Sequence, residues 1–189
     1  MTTPTTPLKV YLAGPDVFLP NAIQRGQDLK ALCTTYNLQG LFPLDKEIST
    51  PTPGSSSHAD LIRTANMALI SSCDAILANM TPFRGPSMDV GTAYEMGAGS
   101  ALGKLVVGYT TDGGKAYVAK VGEGFKVERK EDGFLRDEEG MSVEEFGVKE
   151  EAGGLVDNLM ISCGVERLCM SEEEGLRVIA ELLGVVKKV

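Results

Sequence analysis

A chain of 189 residues, 43% of them apolar, fits one globular domain with a core large enough to be stable alone. Its formal charge of −8 argues against a nucleic-acid backbone or an anionic membrane as the main partner, because both demand a basic surface; a single nucleotide needs only one local arginine. No apolar run approaches the ~20 residues of a membrane helix, and Cys33, Cys73, Cys163 and Cys169 form no CxxC pair and lie in apolar contexts, which reads as four reduced, buried thiols of a cytoplasmic protein.

Met1 to Pro7 is Thr/Pro-rich and lacks the basic and apolar regions of a signal peptide, so it reads as a disordered tail before a single domain over 8–189. Leu8 to Gly14 predicts the first strand, closed by Gly14-Pro15. Asn21 to Thr35 has the helical spacing of Ile23, Leu29, Leu32 and Cys33. Leu38 to Leu44 predicts a second strand, Lys46 to Ser57 a loop, and His58 to Ser72 a helix whose Leu61, Ile62, Ala65, Leu69 and Ile70 repeat at three and four. Asp74 to Met80 is the third strand, Asp89 to Leu102 the third helix, and Lys104 to Thr110 the fourth strand after the helix stop Gly103. Residues 112–154, rich in Gly and charge, read as a surface excursion holding a hairpin of Phe125–Val127 with Gly133–Leu135. Val165 to Cys169 predicts a fifth strand. Ser171 caps a last helix to Lys187, with Glu172 to Glu174 at its positive end. Strands alternating with helices imply a parallel sheet with right-handed crossovers.

Several chemistries drop out. The first turn, Ala13-Gly14-Pro15-Asp16, lacks GxGxxG, so no dinucleotide cofactor is expected. The sole histidine, His58, reads as a solvated residue at a helix start; without a Cys/His cluster no metal site is expected. No GxSxG supports a serine nucleophile.

What remains is the stretch from Phe83 to Gly97: a strand end, a Pro/Gly loop and a helix N-terminus, where open α/β sheets place their ligand crevice. Asp89 and Glu95 open that helix. Asp89 equally suits a carboxylate that complements the helix dipole. Glu95 lies among Ala93, Met96, Gly97, Ala98 and Gly99, surroundings too apolar and small for an ordinary solvated glutamate. Three segments converge at the sheet's carboxyl end: Tyr11 to Phe18, Leu44 to Glu47, and Thr81 to Asp89. They predict a pocket with Tyr11, Phe18 and Phe83 as flat surfaces and Asp16, Asp45, Glu47, Arg84, Asp89 and Glu95 as polar anchors. On spacing alone Tyr11 is equally an ordinary strand residue. A reactive carboxylate with a second one nearby suits glycosyl transfer through an oxocarbenium-like transition state.

The motifs Tyr11-Leu-Ala-Gly-Pro-Asp-Val-Phe18, Cys73-Asp74-Ala75, Phe83-Arg84-Gly85, Asp89-Val-Gly-Thr-Ala-Tyr-Glu95-Met-Gly97 and Asn158-Leu159-Met160 together resemble the nucleoside 2-deoxyribosyltransferase family, from about Lys9 to Ile161. The resemblance implies a flavodoxin-like, doubly wound, five-stranded parallel sheet and a homo-oligomer that moves a 2-deoxyribosyl group from a deoxynucleoside donor to a free nucleobase, without cofactor. It puts the nucleophile on Glu95, the sugar-binding aspartate on Asp89 and the tyrosine beside the nucleophile on Tyr11. The aromatic over the base falls on Phe18, with Gly14, Asp16, Phe83, Arg84 and Gly85 in the same loops. Polar base contacts fall near Asp45 and Glu47, and the asparagine lent by a neighbouring subunit falls on Asn158, next to Met160. Asn66 occupies a place where some members carry an aspartate proposed to protonate the leaving base; an amide can hydrogen-bond a base but cannot supply a proton at pH 7. A hydrogen bond from Tyr11 is expected to lower the pKa of Glu95. The same scaffold admits a 2′-deoxynucleoside 5′-monophosphate N-glycosidase. That reaction needs a phosphate cradle, for which the sequence offers only Arg84 and Arg25, while Asp16 repels phosphate. Outside enzymes, a nucleotide-sensing domain with the excursion on a partner is the remaining reading.

Overall fold

The computed structural model describes residues 6–45, 48, 52–148 and 153–185. Of the expected tail only Thr6 and Pro7 fall among these, and both are exposed. The elements in chain order are β1 (Leu8–Ala13), a 3-10 turn (Pro15–Phe18), α1 (Ala22–Thr35), β2 (Leu38–Leu41), α2 (Ser56–Ser72), β3 (Ala75–Asn79), α3 (Val90–Ala101), β4 (Leu105–Tyr109), α4 (Tyr117–Gly124), β5 (Glu128–Arg129), β6 (Leu135–Arg136), α5 (Leu159–Ser162), β7 (Arg167–Cys169) and α6 (Glu172–Leu182). Five strands form one sheet in the order β2-β1-β3-β4-β7, and every neighbouring pair is parallel. This is the doubly wound order whose switch point lies between β1 and β3.

The pleat sorts side chains by parity. Val10 and Leu12 face α1 and α6, in a core with Leu29, Cys33, Phe42, Leu77, Val107, Leu176 and Ile179. Tyr11 and Ala13 face the other way, with Ile70, Ile76, Ala78, Met88 and Met96 of the α2 and α3 side. That parity puts the Tyr11 phenol under α3. A small residue sets how closely α3 lies on the sheet: a Cβ on Gly99 would come within 2.1 Å of Ile76 Cδ1. Gly99 is one turn beyond Glu95 and shares its face, so it lets the helix bring Glu95 down onto β1.

The structure corrects three expectations. The stretch 112–154 is not wholly a surface excursion: α4 forms within it and buries Val121 and Lys120, and Val156 and Asp157 just beyond it are buried too. The many glycines and charges there masked the short apolar repeat Tyr117, Val118, Val121. The hairpin pairs Glu128 with Arg136 and Arg129 with Leu135, a register displaced from the expected one. Cys163 is exposed at the end of α5, whereas Cys33, Cys73 and Cys169 are buried. No helix among the described residues is long and apolar enough to cross a membrane.

Candidate active site

The carboxyl ends of β1 and β3 and the N-terminal half of α3 bring the candidate residues together. Asp89 is the N-cap of α3: its Oδ2 accepts from Thr92 N at 2.8 Å and from Thr92 Oγ1 at 2.9 Å, which satisfies an otherwise orphaned donor of the first turn. Its Oδ1 accepts no hydrogen bond among the described residues. Glu95 lies nearly two turns further on. The Tyr11 hydroxyl donates to Glu95 Oε1 at 2.6 Å, and Asn66 Nδ2, from α2, reaches the same oxygen at 3.5 Å. Oε2 accepts no hydrogen bond among the described residues.

Burial dominates the electrostatics of this carboxylate. It pushes the Glu95 pKa up to about 7; the Tyr11 bond pulls down, the charge of Asp89 pushes up, and Asn66 pulls down weakly. The expected lowering by Tyr11 is present but loses to desolvation. Tyr11 moves well above the ordinary phenol range, through its own burial and the charge of Glu95, so its hydroxyl remains a donor. A cavity of about 370 Å³ opens beside Glu95, lined by Ala59, Ile62, Arg63, Asn66, Tyr94 and Glu95 among others; Tyr11, Asp89, Phe18, Phe83 and Arg84 do not line it. Arg63 Nη2 donates to the Tyr94 hydroxyl at 3.2 Å on its rim.

The adjoining loops carry the aromatic groups. Phe18 and Phe83 stack with ring centroids 5.4 Å apart and planes 13° apart. The Arg84 guanidinium lies 4.6 Å from the Phe83 centroid and 5.2 Å from that of Phe18. Arg84 adopts φ 57°, a left-handed conformation uncommon for a non-glycine residue, and Gly85 after it is exposed. At Gly14, where β1 gives way to the 3-10 turn, a Cβ would come within 2.7 Å of Asp16 Oδ2 and 2.8 Å of Asn79 Cβ.

Other candidates have different surroundings. Asp16 is buried and committed: Oδ1 accepts from Arg25 Nε at 2.8 Å and Oδ2 from Asn79 Nδ2 at 3.0 Å, while Arg25 Nη1 also reaches Glu172 at 3.0 Å. Asp45 pairs with Lys30 and accepts from Phe42 N at 2.9 Å, closing the turn after β2. Glu47 lies outside the described residues. Asn158 caps α5, its Oδ1 accepting from Met160 N at 3.0 Å; its Nδ2 donates to Glu144 at 2.6 Å, and Met160 is 76% exposed. Neither Asn158 nor Met160 lines the Glu95 cavity. His58 opens α2, with its Nδ1 accepting from Gly54 N at 3.1 Å.

Residues 10–160 match the family model of nucleoside 2-deoxyribosyltransferase. The chain belongs to that family. It is similar to a solved 2-desoxiribosyltransferase from Leishmania mexicana, with 32% identity over 93% of this chain and 98% of that one and a TM-score of 0.70. A conserved protein from Enterococcus faecalis, 20% identical over 94% of this chain and 99% of that one, shares the fold at a TM-score of 0.59. An uncharacterized protein of Schizosaccharomyces pombe is 40% identical over 115 residues, 59% of this chain and 54% of that protein, so the match spans about half the length of the yeast relative.

Every candidate residue lies within the matched span, and three further residues lie at or beside the cluster without having been singled out from the sequence. Arg63 lies three residues before Asn66 on one helical face, a spacing that could have flagged it. Thr92, whose two donors both bind Asp89, stood in the motif as an unremarked small residue. Asp157 is buried with both carboxylate oxygens bonded, beside an Asn-Leu-Met segment that drew attention away from it.

Proposed function

We propose that this protein transfers the 2-deoxyribosyl group of a 2′-deoxyribonucleoside to another nucleobase through a covalent glycosyl-glutamate, in nucleoside salvage. The observation that carries this reading is a half-buried carboxylate, Glu95, facing a cavity with Oε1 tied by Tyr11 and Asn66 and Oε2 accepting no hydrogen bond among the described residues.

In the first step Oε2 of ionised Glu95 attacks C1′. The C1′–N bond breaks, its electron pair stays with the base, and the base takes up a proton. Tyr11 holds the nucleophile in line, and the free oxygen of Asp89 accepts from a sugar hydroxyl. In the second step a nitrogen of the incoming base attacks C1′, the C1′–O bond to Glu95 breaks with its electron pair returning to the carboxylate, and the base gives up its N–H proton to water. Two inversions give net retention. The absence of a 2′-hydroxyl lets the oxocarbenium ion form more readily. Water in place of the second base would give hydrolysis, so the stacked Phe18 and Phe83 beside the site serve to cover the base and keep water out. Asn66 cannot deliver the proton, so the leaving base must be one protonated elsewhere. Purines offer N7 and N3 to water, and we infer a preference for 2′-deoxypurine donors and purine acceptors of about a hundredfold, which needs only ~3 kcal/mol. By the family resemblance, Asn158 is the residue lent to a neighbour in a homo-oligomer.

The test is a product assay. With deoxyinosine and free adenine, deoxyadenosine should form, and thymidine should donate far more slowly. Free deoxyribose as the main product would sink the transferase reading.

One observation favours a second reading, a deoxynucleoside 5′-monophosphate N-glycosidase. Arg25 is held by Asp16 and Glu172 and Arg84 stacks on two phenyl rings, but Arg63 lines the Glu95 cavity and supplies a cation the sequence reading overlooked. Against it stands Asp89, a carboxylate at the α3 N-terminus where a phosphate would otherwise be welcome. Release of base from deoxynucleoside monophosphates faster than from deoxynucleosides would favour it.

A further inference from the structure

We propose that Asp157 is a positioning residue that ties a subunit's own sugar site to the asparagine it lends its neighbour. The inference rests on the shared-site reading above and deepens it. Asp157 is 1% exposed, and its carboxylate takes three donors. Ser87 Oγ donates to Oδ1, Met88 N to Oδ2 at 2.8 Å, and Asn158 N to Oδ1 at 2.8 Å. Two of these donors belong to the loop that ends in Asp89, the third to the residue that caps α5. The main chain of Asp157 closes the same structure: its N donates to Ser162 Oγ at 2.9 Å, and its carbonyl accepts the Ser162 hydroxyl at 2.9 Å. From the far side Glu144 fixes the segment, accepting from Asn158 Nδ2 at 2.6 Å and Leu159 N at 2.9 Å.

A buried carboxylate is costly unless its oxygens are filled. Here they are filled by two segments about seventy residues apart, so neither can shift without exposing an unpaired charge. The 87–89 loop and the start of α5 therefore move as one body. In an oligomer, one side chain then governs two sites: the sugar hydroxyl contact at Asp89 in its own subunit, and the placement of Asn158 in the next. An amide at 157 has a single acceptor oxygen and cannot serve all three donors.

Mixed oligomers separate the two roles. Glu95→Ala mixed with Asn158→Ala is the reference, because each intact site then draws Asn158 from the other subunit. In the first arm, Asn158→Ala is mixed with the double variant Glu95→Ala/Asp157→Asn, so the only working site depends on an Asn158 beside the altered residue. In the second arm, Asp157→Asn is mixed with Glu95→Ala, so the working site has a normal lent Asn158 but an altered Asp89 loop. Both arms should recover less than a tenth of the reference activity. Full recovery in either arm overturns the proposal while leaving the shared site standing; no recovery in the reference pair overturns the shared site and the proposal with it. Should Asp157→Asn fail to fold by circular dichroism, Ser87→Ala removes one donor more gently. It should raise the donor KM severalfold with kcat within twofold, and Ser87→Thr should restore it. An unchanged KM in Ser87→Ala would equally end the proposal.

Discussion

Two carboxylates near the carboxyl ends of β1 and β3, Asp16 buried and Glu95 half-buried, are treated in opposite ways. Asp16 has a guanidinium at 2.8 Å and an amide at 3.0 Å, and the same Arg25 reaches across to Glu172 on α6. Every charge in that cluster has an opposite charge. Glu95 is on the other face of the sheet, with a phenol and a distant amide for company, no cation bonded to it among the described residues, and the like charge of Asp89 nearby. A fold that needs a carboxylate for structure fills both of its oxygens, with a cation and an amide at Asp16 and with three neutral donors at Asp157. One left partly desolvated and held by a neutral donor is stored at a cost to stability, and such groups concentrate at reactive sites.

The strongest way to break the contrast is to remove the unpaired partner. Glu95→Ala should lose several powers of ten in transfer rate while remaining folded, since nucleophile removal typically costs that much. Glu95→Gln should also be the more stable protein above pH 7. The folded state holds the Glu95 proton up to about 7 against an ordinary value of 4.5. The unfolded state therefore binds fewer protons between those values, and wild-type stability falls as pH rises through them. The glutamine gain should be on the order of 3 kcal/mol above pH 7 and vanish below 4.5. Thermal melts across pH check this; a glutamine variant no more stable at pH 8 would mean that Glu95 carries no desolvation penalty.

Arg25→Ala tests the paired side. It strips Asp16 and Glu172 of their cation together, and with Arg25 26% exposed at its side chain the loss should be about 2–3 kcal/mol. The pH dependence of turnover should stay where it was. A moved profile would show that the two carboxylates are one system and not two.

Tyr11→Phe is smaller and sharper. It removes the main contact that lowers the Glu95 pKa, so the ascending limb of kcat/KM, centred near 7, should move upward. At pH 6.5 the loss should be about tenfold, one pH unit of differential interaction, and it should narrow at pH 9. A uniform loss at all pH values would assign Tyr11 to positioning alone.

The paired and unpaired carboxylates were not equally legible in the sequence. Glu95 showed itself because its neighbours on α3 are small and apolar, and the helix face they make has to lie against something. The sheet was legible for the same reason, through apolar runs between Gly and Pro breaks. The Asp16–Arg25–Glu172 cluster was not, because Glu172 lies far from the other two in sequence and meets them only when α1 and α6 pack on one face. Asp16 therefore read as a free polar anchor. The helix α4 was hidden by its glycines, whose weak intrinsic helix propensity was overridden by burial of Val121. The apolar surroundings of Glu95 are legible in the sequence, but not that desolvation outweighs the Tyr11 bond, because its size depends on how closely Gly99 lets α3 approach.

The smallest expected effect is the most specific. Asn66 Nδ2 reaches the Glu95 oxygen at 3.5 Å, a long bond with a weak pull on its pKa. Asn66→Asp replaces that donor by a second carboxyl, so the site would resemble two acids sharing one proton, one of them held neutral to a higher pH. Near pH 7 this has two opposed consequences. The nucleophile is less often ionised, which should slow deoxyinosine several-fold. A protonated carboxyl beside the base also supplies the acid that pyrimidine leaving groups lack, which should speed thymidine several-fold. The ratio of the two donors should therefore move by about an order of magnitude while neither rate changes by that much. Rates for both donors across pH 5–9 in wild type and variant decide it. A parallel fall for both donors would show that Asn66 only steadies Glu95, and that the base preference is set elsewhere in the pocket.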